Sequence, residues 1–167
     1  MDDVFNYLKE EQALTIANLS ELVQNFSDKN REEVFDEVKL VCDQLRGYLK
    51  KQSVLLIDEL ENKNEKGYSS LLKETKKMQD QLFDDLETIV MVHVDEPGYG
   101  SYLSNLLKHA EDYFAASQKL FVKLRETLPE PTLNKVNEKL ATIIHSDVGF
   151  NSIQTPEIEQ ARAAKQP

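Results

Sequence analysis

The sequence predicts an all-α fold, arranged as an up-down-up-down antiparallel four-helix bundle with a short C-terminal helix. Long stretches carry an apolar residue at every third or fourth position, which is the period of a helix with one buried face. The 167 residues include only 5 Gly and 5 Pro, so there is little turn material for a β-rich fold. Short polar segments separate the stretches, and short connections between long helices make neighbouring helices antiparallel.

The first two predicted helices are joined by a short polar turn. The first covers about residues 3–26, and the second continues to about residue 60. Ser27 and Asp28 lie between them, and we expect these residues to cap the second helix because their side-chain oxygens accept from free backbone N–H groups. A polar break follows at residues 62–67.

The third and fourth predicted helices are separated by the clearest loop of the chain. The third helix covers about residues 68–91, and the loop covers residues 94–100 with its Pro-Gly-Tyr-Gly segment. Ser101 is the expected cap of the fourth helix, which ends before Pro129. A shorter helix over about residues 132–145 completes the predicted domain, residues 1–145, and a polar, loosely ordered tail is expected at residues 146–167.

The composition favours a cytoplasmic protein that binds neither nucleic acid nor membranes. The formal net charge of -10 repels phosphate backbones and anionic lipid headgroups. No apolar run reaches the roughly 20 residues of a membrane span, and no signal peptide is expected at the start of the chain. Cys42 is the single cysteine, and we interpret it as a buried, inert thiol.

Each of the four long predicted helices carries a polar or small residue within its apolar stripe. We expect these residues to face the bundle axis at a middle level: Gln12, Tyr48, Gln52, Gln79, Asp112 and Ala116. Two interpretations stay open. The residues form a hydrogen-bonded core layer, or they hold a site, since helical bundles build metal and cofactor sites in their cores.

Four segments of the chain resemble the hemerythrin-like family of cation-binding four-helix bundles. The resemblance covers about residues 3–141 and rests on helix lengths, loop positions and the residues at 3–12, 45–56, 76–80 and 111–129. It implies that the family's iron-binding histidines and glutamates fall on Gln12, Tyr48, Gln52, Gln79, Asp112 and Ala116.

Every one of these implied ligands is changed in this chain, so no metal and no cofactor are expected. Iron at such a centre needs converging imidazoles and carboxylates, whereas amides are poor ligands and Ala116 has no donor atom. Among the three histidines, His109 alone lies near the implied site, and we interpret it as structural or solvated. No phosphate-binding loop or nucleophile motif is present, which argues against an enzyme.

Three functional hypotheses are compatible with the sequence. The first is a non-enzymatic hemerythrin-like bundle without its di-iron site, acting as a structural, regulatory or interaction protein with an unknown protein partner. The second is a metal- or oxygen-responsive protein of the hemerythrin type with unusual ligands. The third is a binder of a small ligand in the emptied core. Metal analysis distinguishes the second hypothesis from the other two, and a search for a co-purifying small molecule distinguishes the third from the first.

Overall fold

The structure, a computed structural model, describes residues 3–60 and 67–145. This part of the chain is helical with short connections and contains no strand, so the all-α prediction is confirmed. None of the described helices combines the length and the apolar character that crossing a membrane requires. The predicted polar break at 62–67 lies almost entirely, and the predicted tail at 146–167 entirely, outside the described residues.

Five helices make up the described chain. They are α1 (Val4–Asn25), α2 (Arg31–Gln52), α3 (Ser69–Met91), α4 (Tyr99–Thr127) and α5 (Glu130–His145). Helix α2 does not stop at its last regular residue, because it continues through a π-helical turn, Ser53–Ile57, and one further α-helical turn, Asp58–Leu60. The predicted helices therefore exist at nearly the predicted positions.

The starts of α1 and α2 are capped by side chains. The Asp3 carboxylate accepts a 2.8 Å hydrogen bond from the backbone N–H of Phe5, and the Asn30 side chain accepts one of 3.0 Å from Glu33. The expectation that Ser27 and Asp28 cap α2 was wrong. Both lie in a short 3₁₀ turn between the helices, which places Asn30 at the position where an N-cap residue satisfies the free N–H groups.

Glycine fixes the start of α4. Gly98 precedes the helix with φ of 90°, a backbone conformation that strongly favours glycine, and its carbonyl accepts from the N–H of Ser101. At Gly100 an added Cβ would lie 2.6 Å from the ring of Phe26, so this position has no room for a side chain unless the ring moves. The helix begins at Tyr99, and the expected cap at Ser101 was therefore also wrong.

The buried faces of the four long helices form one apolar core. Helix α1 packs against α2 and α4, and α3 packs most extensively against α4 and also contacts α2. The largest fully buried side chains include Tyr48, Tyr113, Phe5 and Phe121, and the leucines of all four helices surround them. This arrangement brings the polar residues of the apolar stripes into the interior.

Three consecutive side chains are buried in the π-helical turn at the end of α2. Leu55, Leu56 and Ile57 are all at most 3% exposed. Helix α5 packs against this turn and supplies the apolar cover. The π-helical turn therefore belongs to the packed interior, between the end of α2 and α5.

Helix α5 is also held by polar contacts. The side-chain oxygen of Asn137 accepts a 3.0 Å hydrogen bond from the backbone N–H of Val4, at the start of α1. Lys135 and Lys139 both pair with Glu59, which lies in the last described turn of the α2 extension. These contacts attach the C-terminal helix to the ends of α1 and α2.

Candidate functional site

Polar side chains from three helices form one hydrogen-bonded chain in the core. The Gln12 amide nitrogen donates to the Tyr48 hydroxyl at 2.6 Å, and the Tyr48 hydroxyl donates to the Gln52 amide oxygen. The Gln52 amide nitrogen then donates to the Ser117 hydroxyl oxygen at 3.0 Å. Helices α1, α2 and α4 are thereby joined at one level.

This hydrogen-bonded chain is buried, and each of its two glutamine amides donates one hydrogen bond and accepts another. Gln12, Tyr48, Gln52 and Ser117 are each at most 1% exposed. Gln118, at the surface of α4, donates to the Gln12 amide oxygen at 3.1 Å, so this amide accepts at one end and donates at the other. Since an unpaired buried polar group costs about 1–3 kcal/mol, the mutual pairing is what permits these residues in an apolar core.

Helical spacing explains why these residues meet. Gln12 follows the buried Leu8 by four residues and precedes the buried Thr15 by three, which keeps all three on one face of α1. Tyr48 and Gln52 are four residues apart on α2, so their side chains lie one above the other. The inward orientation and mutual bonding predicted for these positions are therefore present in the structure.

Gln79 takes a separate place at the edge of this layer. It is 7% exposed, and its amide oxygen accepts from the Tyr113 hydroxyl at 3.5 Å, the long limit of a hydrogen bond. Among the described contacts no bond joins it to Gln12, Tyr48 or Gln52. Gln79 therefore lies beside the bonded group and has no direct hydrogen bond to the other three predicted residues.

On α4 the structure shifts the inward positions by one residue. Asp112 is exposed, so its predicted place in the core was wrong, whereas Ala116 is buried. The buried pair that meets the polar chain is Tyr113 and Ser117, which are both completely buried.

The helix period gives the reason for the shift on α4. Positions spaced by four residues drift about 40° at each step of a 3.6-residue helix. Asp112 therefore lies about 80° away from the buried Leu120, two such steps along the helix. Tyr113, seven residues from Leu120, stays within about 20° of it and faces the core.

Aromatic rings fill the space beside the polar chain. The ring centroid of Tyr48 lies 5.0 Å from that of Phe114 and 6.5 Å from that of Tyr113, both with the edge of one ring against the face of the other. Burial raises the pKa of both tyrosines, and for Tyr48 the neighbouring Tyr113 raises it further. Both phenols therefore keep their protons at neutral pH and act as hydrogen-bond donors.

A buried lysine lies next to this layer, and sequence reasoning missed it. Lys51 is only 9% exposed; its ammonium donates to the Tyr7 hydroxyl at 3.2 Å and lies 3.5 Å from a Glu11 oxygen. Glu11 precedes Gln12 in sequence, and Lys51 precedes Gln52. The ion pair between Glu11 of α1 and Lys51 of α2 therefore joins the two helices beside the hydrogen-bonded chain.

The described residues contain no group of three or more His, Cys, Asp or Glu side chains placed to hold a metal ion. The nearest histidine, His109, lies 2.5 Å from an Asp85 oxygen and joins α4 to α3 at the surface. His93 contacts Arg31 in the connection between α3 and α4. The donor atoms of the core chain are amides, a phenol and a hydroxyl, which are poor ligands for iron.

No model of a known protein family matches the chain, and neither a curated protein nor a solved structure matches it significantly. The likeness to hemerythrin-like bundles consequently rests on the residues of this chain alone. Any functional conclusion therefore depends on the contacts, burial and charges of the chain itself.

Proposed function

We propose that the chain is a non-enzymatic hemerythrin-like bundle that has lost its di-iron site and acts as a structural, regulatory or interaction protein. The observation that supports this most is the chain from Gln12 through Tyr48 and Gln52 to Ser117. Three of these residues stand at positions where the resemblance implies iron ligands. Their hydrogen-bonding groups satisfy one another, so the core needs no metal to be stable.

The proposal includes an up-down-up-down arrangement of α1 to α4. Helix α1 contacts α2, α2 contacts α3, α3 contacts α4, and α4 returns to α1. Each helix thus has two neighbours in a closed cycle, which is what a four-helix bundle with short connections requires. The short turn between α1 and α2 and the loop between α3 and α4 agree with antiparallel neighbours.

The chemistry of the core supports a non-enzymatic role. General acid–base catalysis near neutral pH uses groups whose pKa lies near that pH and that reach a substrate. The core chain consists of neutral amides, a serine and a tyrosine whose pKa is raised by burial. All four are at most 1% exposed, so a substrate would have to open the helix packing to contact them.

The two alternative functions require changes to contacts that the core already makes. A metal- or oxygen-responsive centre would have to take Gln12, Tyr48 and Gln52 out of their hydrogen bonds. A small ligand in the emptied core would have to displace the rings of Tyr48, Tyr113 and Phe114, which pack against one another there. We therefore favour the metal-free bundle, with a cytoplasmic location and a protein partner of unknown identity.

Elemental analysis of protein produced in iron-supplemented medium tests the proposal. We expect far less than one iron per chain, no visible charge-transfer band, and the same melting temperature with and without a chelator. Metal-dependent bundles lose stability when the metal is removed, because binding free energy contributes to folding. Stoichiometric iron with a visible band, or a clear loss of stability in chelator, would contradict the proposal and support the metal-responsive alternative.

A further inference from the structure

A groove separates the N-terminal half of α2 from the C-terminal end of α3 and the start of α4. Its volume is about 730 Å³, and small-molecule sites in proteins typically enclose about 300–1,000 Å³. None of the residues of the core polar chain lines it. The groove is therefore a separate feature of the molecule, and its occupancy is independent of the function proposed for the core.

Apolar side chains form part of the walls of the groove and part of its rim. Val38 and Ile89 are buried wall residues, whereas Phe35, Val90 and Met91 line the same groove and are exposed by 60%, 58% and 85%. Three large apolar side chains exposed around one concavity are typical of a surface that is covered by a bound molecule.

Tyr99 supplies an unpaired polar group in the groove. The residue is only 3% exposed, and its hydroxyl has no hydrogen-bond partner among the described residues. Cys42, which also lines the groove and is 1% exposed, lies close enough to influence the pKa of Tyr99. Tyr99 and Cys42 are therefore near each other in the groove, and an unpaired hydroxyl is costly at a position as buried as Tyr99.

The glycines on either side hold Tyr99 in this place. Gly98 adopts φ of 90° and turns the chain into α4, while Gly100 allows the Phe26 ring to pack directly on the helix start. The position of Tyr99 consequently depends on backbone geometry rather than on contacts of its hydroxyl. This is the arrangement of a residue whose polar end is left available for a ligand.

The arginines at the groove already have partners. Arg31 lies 3.1 Å from an Asp95 oxygen, and Arg46 lies 3.2 Å from an Asp43 oxygen. A charged ligand would have to compete with these carboxylates, whereas a neutral ligand would leave both pairs intact. These two ion pairs therefore favour a neutral occupant over a charged one.

We propose that this groove binds a neutral, largely apolar small molecule whose buried end carries a carbonyl oxygen, and that the Tyr99 hydroxyl donates a hydrogen bond to that oxygen. The walls cover the apolar body of the ligand, and Phe35, Val90 and Met91 close over its outer part. Burial raises the pKa of Tyr99 to about 12, so the hydroxyl keeps its proton at neutral pH and is available as a donor.

Fluorescence titration with prodan, a neutral naphthyl ketone, tests the proposal directly. We expect saturable binding of one dye per chain with a blue shift of its emission. The variant Tyr99→Phe should weaken prodan binding about three- to tenfold, since one neutral hydrogen bond is lost. The same variant should leave the affinity for dimethylaminonaphthalene, which lacks the ketone, unchanged. The control Tyr102→Phe, on an exposed tyrosine outside the groove, should change neither affinity.

A second pair of variants tests the rim without disturbing the core. Phe35→Ser should weaken the binding of both dyes about fivefold, because apolar area of the ligand loses its cover. Leu14→Ser removes a similarly exposed apolar residue of α1, outside the groove, and should have no effect. Both positions are more than half exposed, so both variants should fold.

Three outcomes would overturn the proposal. The first is the absence of saturable prodan binding. The second is binding that neither Tyr99→Phe nor Phe35→Ser weakens, which would place the dye elsewhere. The third is a concentration-dependent dimer in sedimentation that Phe35→Ser abolishes, because the groove would then be covered by a second copy of the chain.

Discussion

The amide nitrogen of Gln12 donates a 2.6 Å hydrogen bond to the hydroxyl of Tyr48, and this contact joins α1 to α2 inside the core. The same hydroxyl donates to Gln52, so it acts as acceptor and donor at once. Because Gln12 and Gln52 are at most 1% exposed, neither amide has solvent as an alternative partner. Both hydrogen bonds therefore depend on the hydroxyl oxygen of Tyr48, and its removal should lower the stability of the fold.

The variant Tyr48→Phe should lower the free energy of unfolding by about 2–3 kcal/mol. The ring and its packing stay, but one amide N–H group and one amide oxygen lose their partner in the interior. Urea denaturation followed by circular dichroism measures the change, and Tyr102→Phe is the matched control at an exposed tyrosine. A loss below about 0.5 kcal/mol would show that the two amides find other partners.

Glu59 should contribute stability only when it is ionised. Hydrogen bonding to Lys139, followed by the contact with Lys135, lowers the pKa of this carboxyl below its ordinary value of 4.5. A lowered pKa means that the contribution is present above the ordinary value and is lost as the pH falls through the folded-state pKa. Glu59→Gln should therefore lower the melting temperature by about 2–5 °C near pH 7.

The pH dependence separates this effect from a general loss of packing. Below the folded-state pKa of Glu59, wild type and Glu59→Gln should melt at the same temperature, because the wild-type carboxyl is then also neutral. Glu111→Gln, at an exposed position in none of the described ion pairs, is the control and should show no pH-dependent difference. A difference that persists at low pH would mean that Glu59 acts through packing alone.

Cys42 should be almost unreactive in the folded protein. Burial raises the pKa of its thiol from 9.0 to about 12, so very little thiolate, the reactive form, is present at neutral pH. The thiol is also only 1% exposed, although it lines the groove. A disulfide reagent should react at least about a hundredfold more slowly with the native than with the urea-unfolded chain.

An exposed cysteine on the same protein provides the control for reactivity. Ser101→Cys in a Cys42→Ala background places a thiol at an exposed position of α4. It should react at nearly the same rate in the folded and the unfolded chain. Equal rates for Cys42 in both states would show that the groove opens down to the thiol on the time scale of the reaction.

The helices could be predicted from the sequence, but the residues that cap or begin α2 and α4 could not. Stripes of 22 to 29 residues fix the helical period well. Three good capping residues, Ser27, Asp28 and Asn30, lie just before α2, and only the path of the backbone decides which of them caps. At α4 the left-handed conformation of Gly98 sets the start, and a Ser that follows is no longer needed as a cap.

The polar core could be predicted in part. Gln12, Tyr48 and Gln52 follow from their spacing to buried leucines. Ser117 was not predicted because the inward face of α4 was drawn through Asp112 and Ala116, and positions spaced by four residues rotate gradually around the helix. Tyr113 belongs to the apolar stripe of α4, and the position four residues after it is Ser117.

Two further features depend on tertiary contacts that a single sequence does not contain. Lys51 pairs with Glu11 from another helix, and a charged residue near a helix end ordinarily reaches solvent. Tyr99 lies beside a loop, where no periodicity indicates whether a side chain is buried. The groove joins residues of three helices, so its walls become neighbours only in the folded chain.

The one-residue shift on α4 leads to a test of the likeness to di-iron bundles. Two six-fold variants share four substitutions: Gln12→His, Tyr48→His, Gln52→Glu and Gln79→His. The first variant adds Asp112→His and Ala116→Glu, the positions implied by the resemblance. The second adds Tyr113→His and Ser117→Glu, which keep the same spacing of four but face the core. The two differ only in the register of one helix.

The second variant should bind ferrous iron, and the first should not, because Asp112 is exposed. Without metal the second variant should be the less stable of the two, since it buries ionisable groups more completely. Adding ferrous iron should raise its melting temperature, because a ligand that binds only the folded state stabilises it. If only the first variant bound iron, the ligand positions on α4 would be 112 and 116, as the resemblance implies. If both variants fold and neither binds iron, the six positions do not converge, and the relation to di-iron bundles would have to be given up.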